Sequence, residues 1–460
     1  MSAPAAVHAK TARDIALDVI RAVNTDDAYA NLLLPARLRR AGLSTPDAAL
    51  ATELTYGTLR RSGYYDRVIE LAAGRSIDRI DAPLRDILRL GTHQLLSMRV
   101  PPHAAVNEAV QQAKSSGKRS GTGFVNGVLR SIARVDREEW QHRVLGDSAD
   151  DDSRLAVLHS HPSWVVSALR DVLDADGQGS ELTYLLEADN APPKVGLVAL
   201  PGLADRDGDL APLPHTEFSP LGVVLSGGDP LDVSAVAAGR ARVQDEGSQL
   251  AALALSRARP VVSGEKWLDM CAGPGGKAAL LAAEAAIGGA HVTANEVVPA
   301  RAQLVRNALE VLPGDPVVVE GDGRRFSDQP GAYDRVLLDA PCTGLGALRR
   351  RPESRWRKQP SDVEALVPLQ RELLDAAIAA TAVGGLIAYV TCSPHLAETR
   401  EVVADALARH PGLRAVDTPA VLDEVTAGSL SRAKVGDAVQ LWPHRHGTDG
   451  MFIALLSKNA

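Results

Sequence analysis

The chain has 460 residues, of which 45% are hydrophobic and 23% charged, and a net charge of −7. That length predicts roughly two to four domains, that balance is ordinary for a soluble protein, and no stretch approaches the length of a membrane span without charges or helix breakers. Three cysteines, an odd number without a CxxC pair, exclude a disulfide framework and a structural zinc site and predict a reducing, cytoplasmic setting. Met1–Val7 lacks a charged stretch followed by an apolar core, so no signal peptide is expected. Charge is unevenly spread: residues 1–145 carry 21 Lys+Arg against 15 Asp+Glu, and the remainder carries 29 against 42. A basic N-terminal module on an acidic remainder suits a polyanion-binding appendage.

Residues 8–145 are predicted to be all-helical. Thr11 and Asp14 form a capping-box start, after which Ile15, Val19 and Val23 recur at helical spacing. Pro83 opens a second clear helix with Leu84, Ile87, Leu88, Gly91 and Leu95 on one side. Pro101 and Pro102 precede a third, bearing Val106, Val110 and Ala113. A loop from Ser115 to Thr122 leads to a fourth, with Phe124, Val125, Val128 and Ile132. Lys118 and Arg119 in that loop are candidates for phosphate contact. The acidic stretch Asp147–Asp152 reads as a linker. Residues 153–240 read as a small α/β subdomain, with helices from Ser163 and over Leu182–Ala188.

From about Gln244, in a third domain spanning 241–460, the pattern alternates. Strands are predicted at Lys266–Cys271, His291–Glu296, Val317–Glu320, Arg335–Asp339 and Leu386–Thr391. Helices are predicted at Ala278–Ala286, Pro299–Leu312 and Asp362–Ala382. Such alternation specifies a doubly wound, mostly parallel sheet. A C-terminal pair, Ala438–Trp442 and Met451–Leu456, adds an antiparallel extension.

The chemistry gathers at predicted strand ends, where open α/β sheets bind ligands. Cys271, Ala272, Gly273, Pro274, Gly275, Gly276 and Lys277 join a strand to an alanine-rich helix, and the glycines permit close backbone approach at a helix N-terminus. The run is neither GxGxxG nor a P-loop. Glu296 ends the next strand, where an acid accepts ribose hydroxyls, and Asp322 follows the third. The set suits an adenosine-containing cofactor. Asp339, Ala340, Pro341 and Cys342 end the fourth strand, and a carboxylate there can pair with an amide-like heterocycle edge. Cys392 ends the following strand, so strand adjacency can bring Cys342 and Cys392 into one pocket. Arg349, Arg350, Arg351, Arg355, Trp356, Arg357 and Lys358 follow Cys342 and read as a phosphate and base-stacking contact.

These motifs resemble the RNA (cytosine-5)-methyltransferases that use S-adenosylmethionine, most closely the bacterial Fmu/Sun small-subunit ribosomal RNA enzymes of the NOL1/NOP2/Sun family. Asp269–Lys277 resembles their cofactor loop, Asp339–Cys342 their DAPC motif, and Thr391-Cys392-Ser393 their TCS motif. Val243–Gln249 resembles their lead-in to the catalytic fold, and Asp449–Phe452 their closing strand. Pro101–Val110 and Gly123–Arg130 resemble the NusB-like RNA-binding fold. The resemblance implies a helical NusB-like domain, a small middle subdomain and a Rossmann-like methyltransferase domain. It further implies Cys392 as the thiolate that attacks C6 of a cytosine, Cys342 as the release partner, and Asp339 as the holder of the base. The implied partner is 16S ribosomal RNA, naked or in a partly assembled small subunit, bound by a monomer with no metal and no membrane.

The chain departs from the family pattern in places. Glu296 stands where Asp is usual, Gly273 where Ala is usual, Ala278 where Thr or Ser is usual, and Met451 where Phe is usual. Ala199 falls where the middle subdomain often shows Arg-Val-Asn, which leaves that segment without its usual RNA contact. Two other functions fit parts of the sequence: a DNA cytosine-5 methyltransferase with Cys342 as nucleophile, and an RNA-binding assembly or antitermination factor whose catalytic domain is scaffold.

Overall fold

The computed structural model describes residues 10–146 and 150–459. Met1–Val7 and the Asp147–Ala149 part of the expected linker lie outside them. The chain divides into two compact units. One holds the residues up to Ala168 together with Leu182–Pro192 and Leu348–Arg357; the other holds Leu169–Glu181, Pro193–Ala347 and Lys358–Ala460. Residues 153–240 are therefore shared between the two.

In the helical unit the first helix, Ala12–Thr25, starts as its sequence predicts. Thr11 accepts the backbone N–H of Asp14, whose carboxylate accepts that of Thr11. Ile15, Val19 and Val23 face a core that also takes Ile87, Leu88, Val106, Val125, Val128 and Ile132. Three helices lie outside those read from the sequence: Ala30–Ala41, Thr45–Arg60 and Ser62–Ala73. The last buries Tyr64, Tyr65, Val68 and Ile69 at helical spacing, whereas the inward faces of the other two are interrupted or partly polar. Pro35 lies inside the first of them, and Thr55 and Thr58 are buried on the second, Thr55 Oγ1 donating to the Ala51 carbonyl at 2.7 Å. The expected linker is shorter than predicted. Asp150 caps the helix Asp151–His159 by accepting the Ser153 N–H at 2.8 Å, so the acidic run is a helix start whose charges suit the N-terminal dipole.

In the other unit the strands are β1 (Val195–Ala199), β2 (Gly222–Leu225), β3 (Ala241–Val243), β4 (Lys266–Asp269), β5 (His291–Glu296), β6 (Val317–Glu320), β7 (Tyr333–Asp339), β8 (Thr381–Thr391), β9 (Leu413–Ala415), β10 (Lys434–Val435), β11 (Ala438–Gln440) and β12 (Phe452–Lys458). β2-β1-β3 form a small antiparallel sheet. The large sheet runs β10-β11-β12-β8-β7-β4-β5-β6, with β9 beside β12. β8, β7, β4, β5 and β6 are parallel, and β12, β11 and β10 extend them antiparallel.

Successive residues on the central strands face opposite sides of the sheet. Trp267, Leu337, Ala388 and Val390 pack with the helices Glu246–Arg257 and Gly276–Gly288, whereas Leu268, Val336, Leu338, Ile387 and Tyr389 pack with Pro360–Ala380. The chain leaves β4 toward β5 on one side and returns to β7 on the other. β4 and β7 therefore flank the point where strand order reverses, which is where open α/β sheets form a ligand crevice.

Candidate active site

Residues from the ends of β4, β5, β7 and β8 converge at that crevice. After β4, Gly275 has φ +103°, and a Cβ there would stand 2.6 Å from Ala308 Cβ; glycine is required by both conformation and space. It precedes the helix Gly276–Gly288. Glu296 closes β5 and folds back on the loop: Oε2 accepts the Gly273 N–H at 3.0 Å and Oε1 the Val298 N–H at 2.9 Å. A Cβ on Gly273 would sit 2.1 Å from Glu296 Oε2. The longer acid thus occupies the space that a methyl group on residue 273 would take, and the two family departures fit each other.

Across the switch point Lys277 Nζ donates to Asp339 Oδ2 at 2.8 Å. Burial works against the Lys277 ammonium, yet Asp339, with Cys392 and Asp269 also nearby, holds its pKa above the ordinary lysine value. Asp269 ends β4 fully buried. Burial, and behind it the Asp339 charge, pushes its carboxyl up to about 8. Burial likewise raises the Cys271 thiol, with Asp269, Asp339 and Glu296 adding to the effect, which favours its protonated form.

Cys342 and Cys392 bring their sulfurs to 3.5 Å, close but unbridged. The parallel register Asp339↔Val390 does this, because each cysteine lies a few residues beyond its paired strand end. The Cys342 thiol is raised well above its ordinary value by its hydrogen bond to Cys392 and then by burial. Both effects favour the protonated form of Cys342.

Asp322 opens the turn Gly323–Asp328 and is gripped by Arg324, whose Nε lies 3.0 Å from both carboxylate oxygens; this pairing lowers the Asp322 pKa to about 2. It remains an ionised acceptor, already engaged. Three further polar groups escaped sequence reasoning. Asn295 Nδ2 donates to the carbonyls of Met270 and Gly321, each at 3.0 Å, and so ties the ends of neighbouring strands together. Gln244 is buried near Gly276 with both ends of its amide unpartnered. Glu398 is buried beside the thiol pair. Gln244 alone had a sequence signal, lying within the quoted lead-in motif.

The basic segment after Cys342 is a correction. Leu348–Arg357 belongs to the helical unit, and Arg355 has 0% exposure. Its guanidinium donates to the carbonyls of Arg60 (3.1 Å), Ser160 (3.0 Å) and Asp189 (3.2 Å) and to Asn190 Oδ1 (2.9 Å). Burial drops its pKa to about 10. Arg357 donates to the carbonyls of Val23 (2.7 Å), Ala28 (2.8 Å) and Asp27 (3.1 Å), and Arg349 is also buried. Arg355 and Arg357 satisfy helix-end carbonyls, and Arg355 shows no surface to a phosphate. Arg351 and Trp356 are exposed, while Arg350 and Lys358 are half-buried. In the helical unit Lys118 pairs with Asp81 at 2.7 Å and Arg119 is exposed.

The crevice suits S-adenosylmethionine on its own features. A glycine loop at a helix N-terminus, an acid closing the next strand and the orphaned Gln244 amide fit that group, since buried polar atoms rarely go unpaired. Gly273, Gly275, Gly276, Gln244 and Glu296 would hold it.

Fold and site together define an S-adenosylmethionine-dependent methyltransferase. The family model described as 16S rRNA methyltransferase RsmB/F matches residues 259–457, and the NusB family model matches residues 10–134. The putative methyltransferase Rv1407 of Mycobacterium tuberculosis is 50% identical over 97% of this chain and 96% of its own. Ribosomal RNA small subunit methyltransferase B of Pectobacterium carotovorum is 31% identical over 97% and 98%. The crystal structure of PH0851 has the same fold, with a TM-score of 0.79 at 22% identity over the whole of both chains. The chain belongs to the 16S rRNA methyltransferase RsmB/F family. Among the described residues no helix is long and apolar enough to cross a membrane.

Proposed function

We propose that the protein methylates C5 of a cytosine in 16S ribosomal RNA through a covalent bond between Cys392 Sγ and C6 of the base. The observation that carries this is the thiol pair, 3.5 Å apart, beside the Lys277–Asp339 ion pair. Lys277 supplies positive charge near Cys392, the setting that favours a thiolate, and Cys342 retains its proton. As attack proceeds N3 takes up the proton that the Cys392 thiol gives up, and the Asp339 carboxylate accepts hydrogen bonds from the N4 amino group and from the resulting N3–H. A lone pair of the Cys392 thiolate forms the S–C6 bond, and the C5–C6 π electrons shift to C5. When bound, S-adenosylmethionine supplies an electrophilic methyl group. Water then takes the C5 proton, the C5–H electrons re-form the C5–C6 double bond, and the S–C6 electrons return to sulfur as the Cys342 S–H donates to it; N3 gives up its proton and aromaticity is restored. Extruding the base from its stack costs roughly a few kcal/mol. We assign compensating phosphate and stacking contacts to the exposed Arg119, Arg351 and Trp356 and to the half-buried Lys118, Arg350 and Lys358.

The test uses the full chain, 16S RNA and methyl-labelled cofactor. Cys392→Ala is expected to abolish transfer. Cys342→Ala is expected to accumulate an RNA–protein adduct that survives denaturation. Turnover by Cys392→Ala at the parent rate refutes the nucleophile, and label recovered at a position other than cytosine C5 refutes the product.

A further inference from the structure

We infer that Glu398 is a positioning residue that holds the two thiols in register. Glu398 ends a short turn, Leu396–Glu398, six residues beyond Cys392, and is fully buried. Oε1 accepts the Thr343 N–H at 2.8 Å and Gln370 Nε2 at 3.2 Å. Oε2 accepts Ser393 Oγ at 2.6 Å and the Thr343 hydroxyl. Four donors fill the roughly four acceptor positions of one carboxylate. Thr343 directly follows Cys342 and Ser393 directly follows Cys392; their hydroxyl oxygens lie 3.1 Å apart. One side chain therefore grips the residue next to each sulfur.

The grip is itself braced. Gln370 Nε2 also donates to the Pro341 carbonyl at 2.9 Å, on the other side of Cys342. The Tyr389 hydroxyl donates to the Glu398 carbonyl at 2.7 Å, fixing the turn to β8. Strand register brings the two loops near each other, but both cysteines lie beyond the last paired residues of β7 and β8, Asp339 and Val390. Past that point one backbone bond, from the Gly346 N–H to the Cys392 carbonyl at 2.8 Å, joins the loops, and the carboxylate adds the side-chain cross-link next to both sulfurs. Misplacing a reacting group by about 1 Å can cost on the order of 100-fold in rate. The inference rests on the two-thiol reading above for its kinetic arm only.

The experiment compares parent, Glu398→Ala and Glu398→Gln as full chains. Dibromobimane, which becomes fluorescent on bridging two adjacent thiols, reports the pairing directly, and methyl transfer to 16S RNA reports its use. Glu398→Ala is expected to lose bimane bridging and roughly 100-fold in kcat, with cofactor affinity and total thiol titre unchanged. Glu398→Gln is expected to recover most of both, because its carbonyl accepts the Thr343 N–H while its NH2 meets the rotated hydroxyls. Bridging at the parent rate in Glu398→Ala overturns the inference whatever the activity, as does a Gln variant no better than Ala. If Glu398→Ala does not fold, Ser393→Ala and Thr343→Val each remove one grip; undiminished bridging in both overturns it equally. Turnover by Cys392→Ala would sink the covalent reading and leave the bridging result standing.

Discussion

Replacing Gly273 with Ala tests how the cofactor loop is shaped. Gly273 does not lie in the left-handed region, so alanine is acceptable to the backbone. The obstacle is Glu296 Oε2, which would lie 2.1 Å from the new Cβ. Heavy-atom contacts are comfortable near 3.5 Å, so the carboxylate must withdraw by roughly 1 Å or more. That breaks its 3.0 Å bond to the Gly273 N–H and disturbs its 3.6 Å pairing with Arg301, which also donates to the Gly273 carbonyl. A hydrogen bond to a charged group is worth about 1.5–3 kcal/mol. Calorimetric titration with S-adenosylmethionine should therefore show affinity falling about ten- to hundred-fold in Gly273→Ala. Adding Glu296→Asp shortens the arm by one methylene and clears the contested space. The double variant should bind more tightly than Gly273→Ala alone, with a coupling of about 1 kcal/mol or more. Additive effects, or parent affinity in Gly273→Ala, refute the reasoning.

Other outcomes follow from the same structure. Asp269 has its folded pKa raised to about 8 from the ordinary 3.8, so between these values the native state holds a proton that the unfolded chain has lost. Its contribution to stability therefore declines as pH rises from about 4 to about 8, by up to ~1.4 kcal/mol per unit. Asp269→Asn should flatten the dependence of the melting temperature on pH across that window, and an unchanged slope would count against the burial argument. Arg355→Met leaves several buried acceptors unpaired at about 1–3 kcal/mol each, so chemical denaturation should show a loss of at least ~3 kcal/mol. Arg355→Lys should lose nearly as much, because an ammonium cannot reproduce the planar fork, and a loss below ~1 kcal/mol in either variant would refute the assignment.

What the sequence disclosed depended on whether its signal was periodic. β5 and β6 begin and end where the pattern puts them, and the Gly-rich loop, Glu296, Asp339 and the cysteines stand at strand ends as expected. Helices with polar inner positions, such as Thr45–Arg60, were not legible, because a buried threonine that bonds its own backbone resembles a surface residue in sequence. The basic run misled for a related reason. Arginine suits phosphate and buried carbonyls through the same donors, and only the fold shows which acceptors it meets. Glu398 left no trace at all, since its partners Thr343 and Gln370 are distant in sequence.

The division of the chain has a consequence for its synthesis. The chain passes between the units five times, and the helical unit's last piece, Leu348–Arg357, is translated only after Pro193–Ala347. At about 5–20 residues per second, the donors of Arg355 arrive on the order of ten to thirty seconds after Asn190. Until then the carbonyls of Arg60, Ser160 and Asp189 await their partner on the ribosome. A helical module expressed alone from the N-terminal segment would remain in that unfinished state, and supplying Leu348–Arg357 as a peptide should complete it.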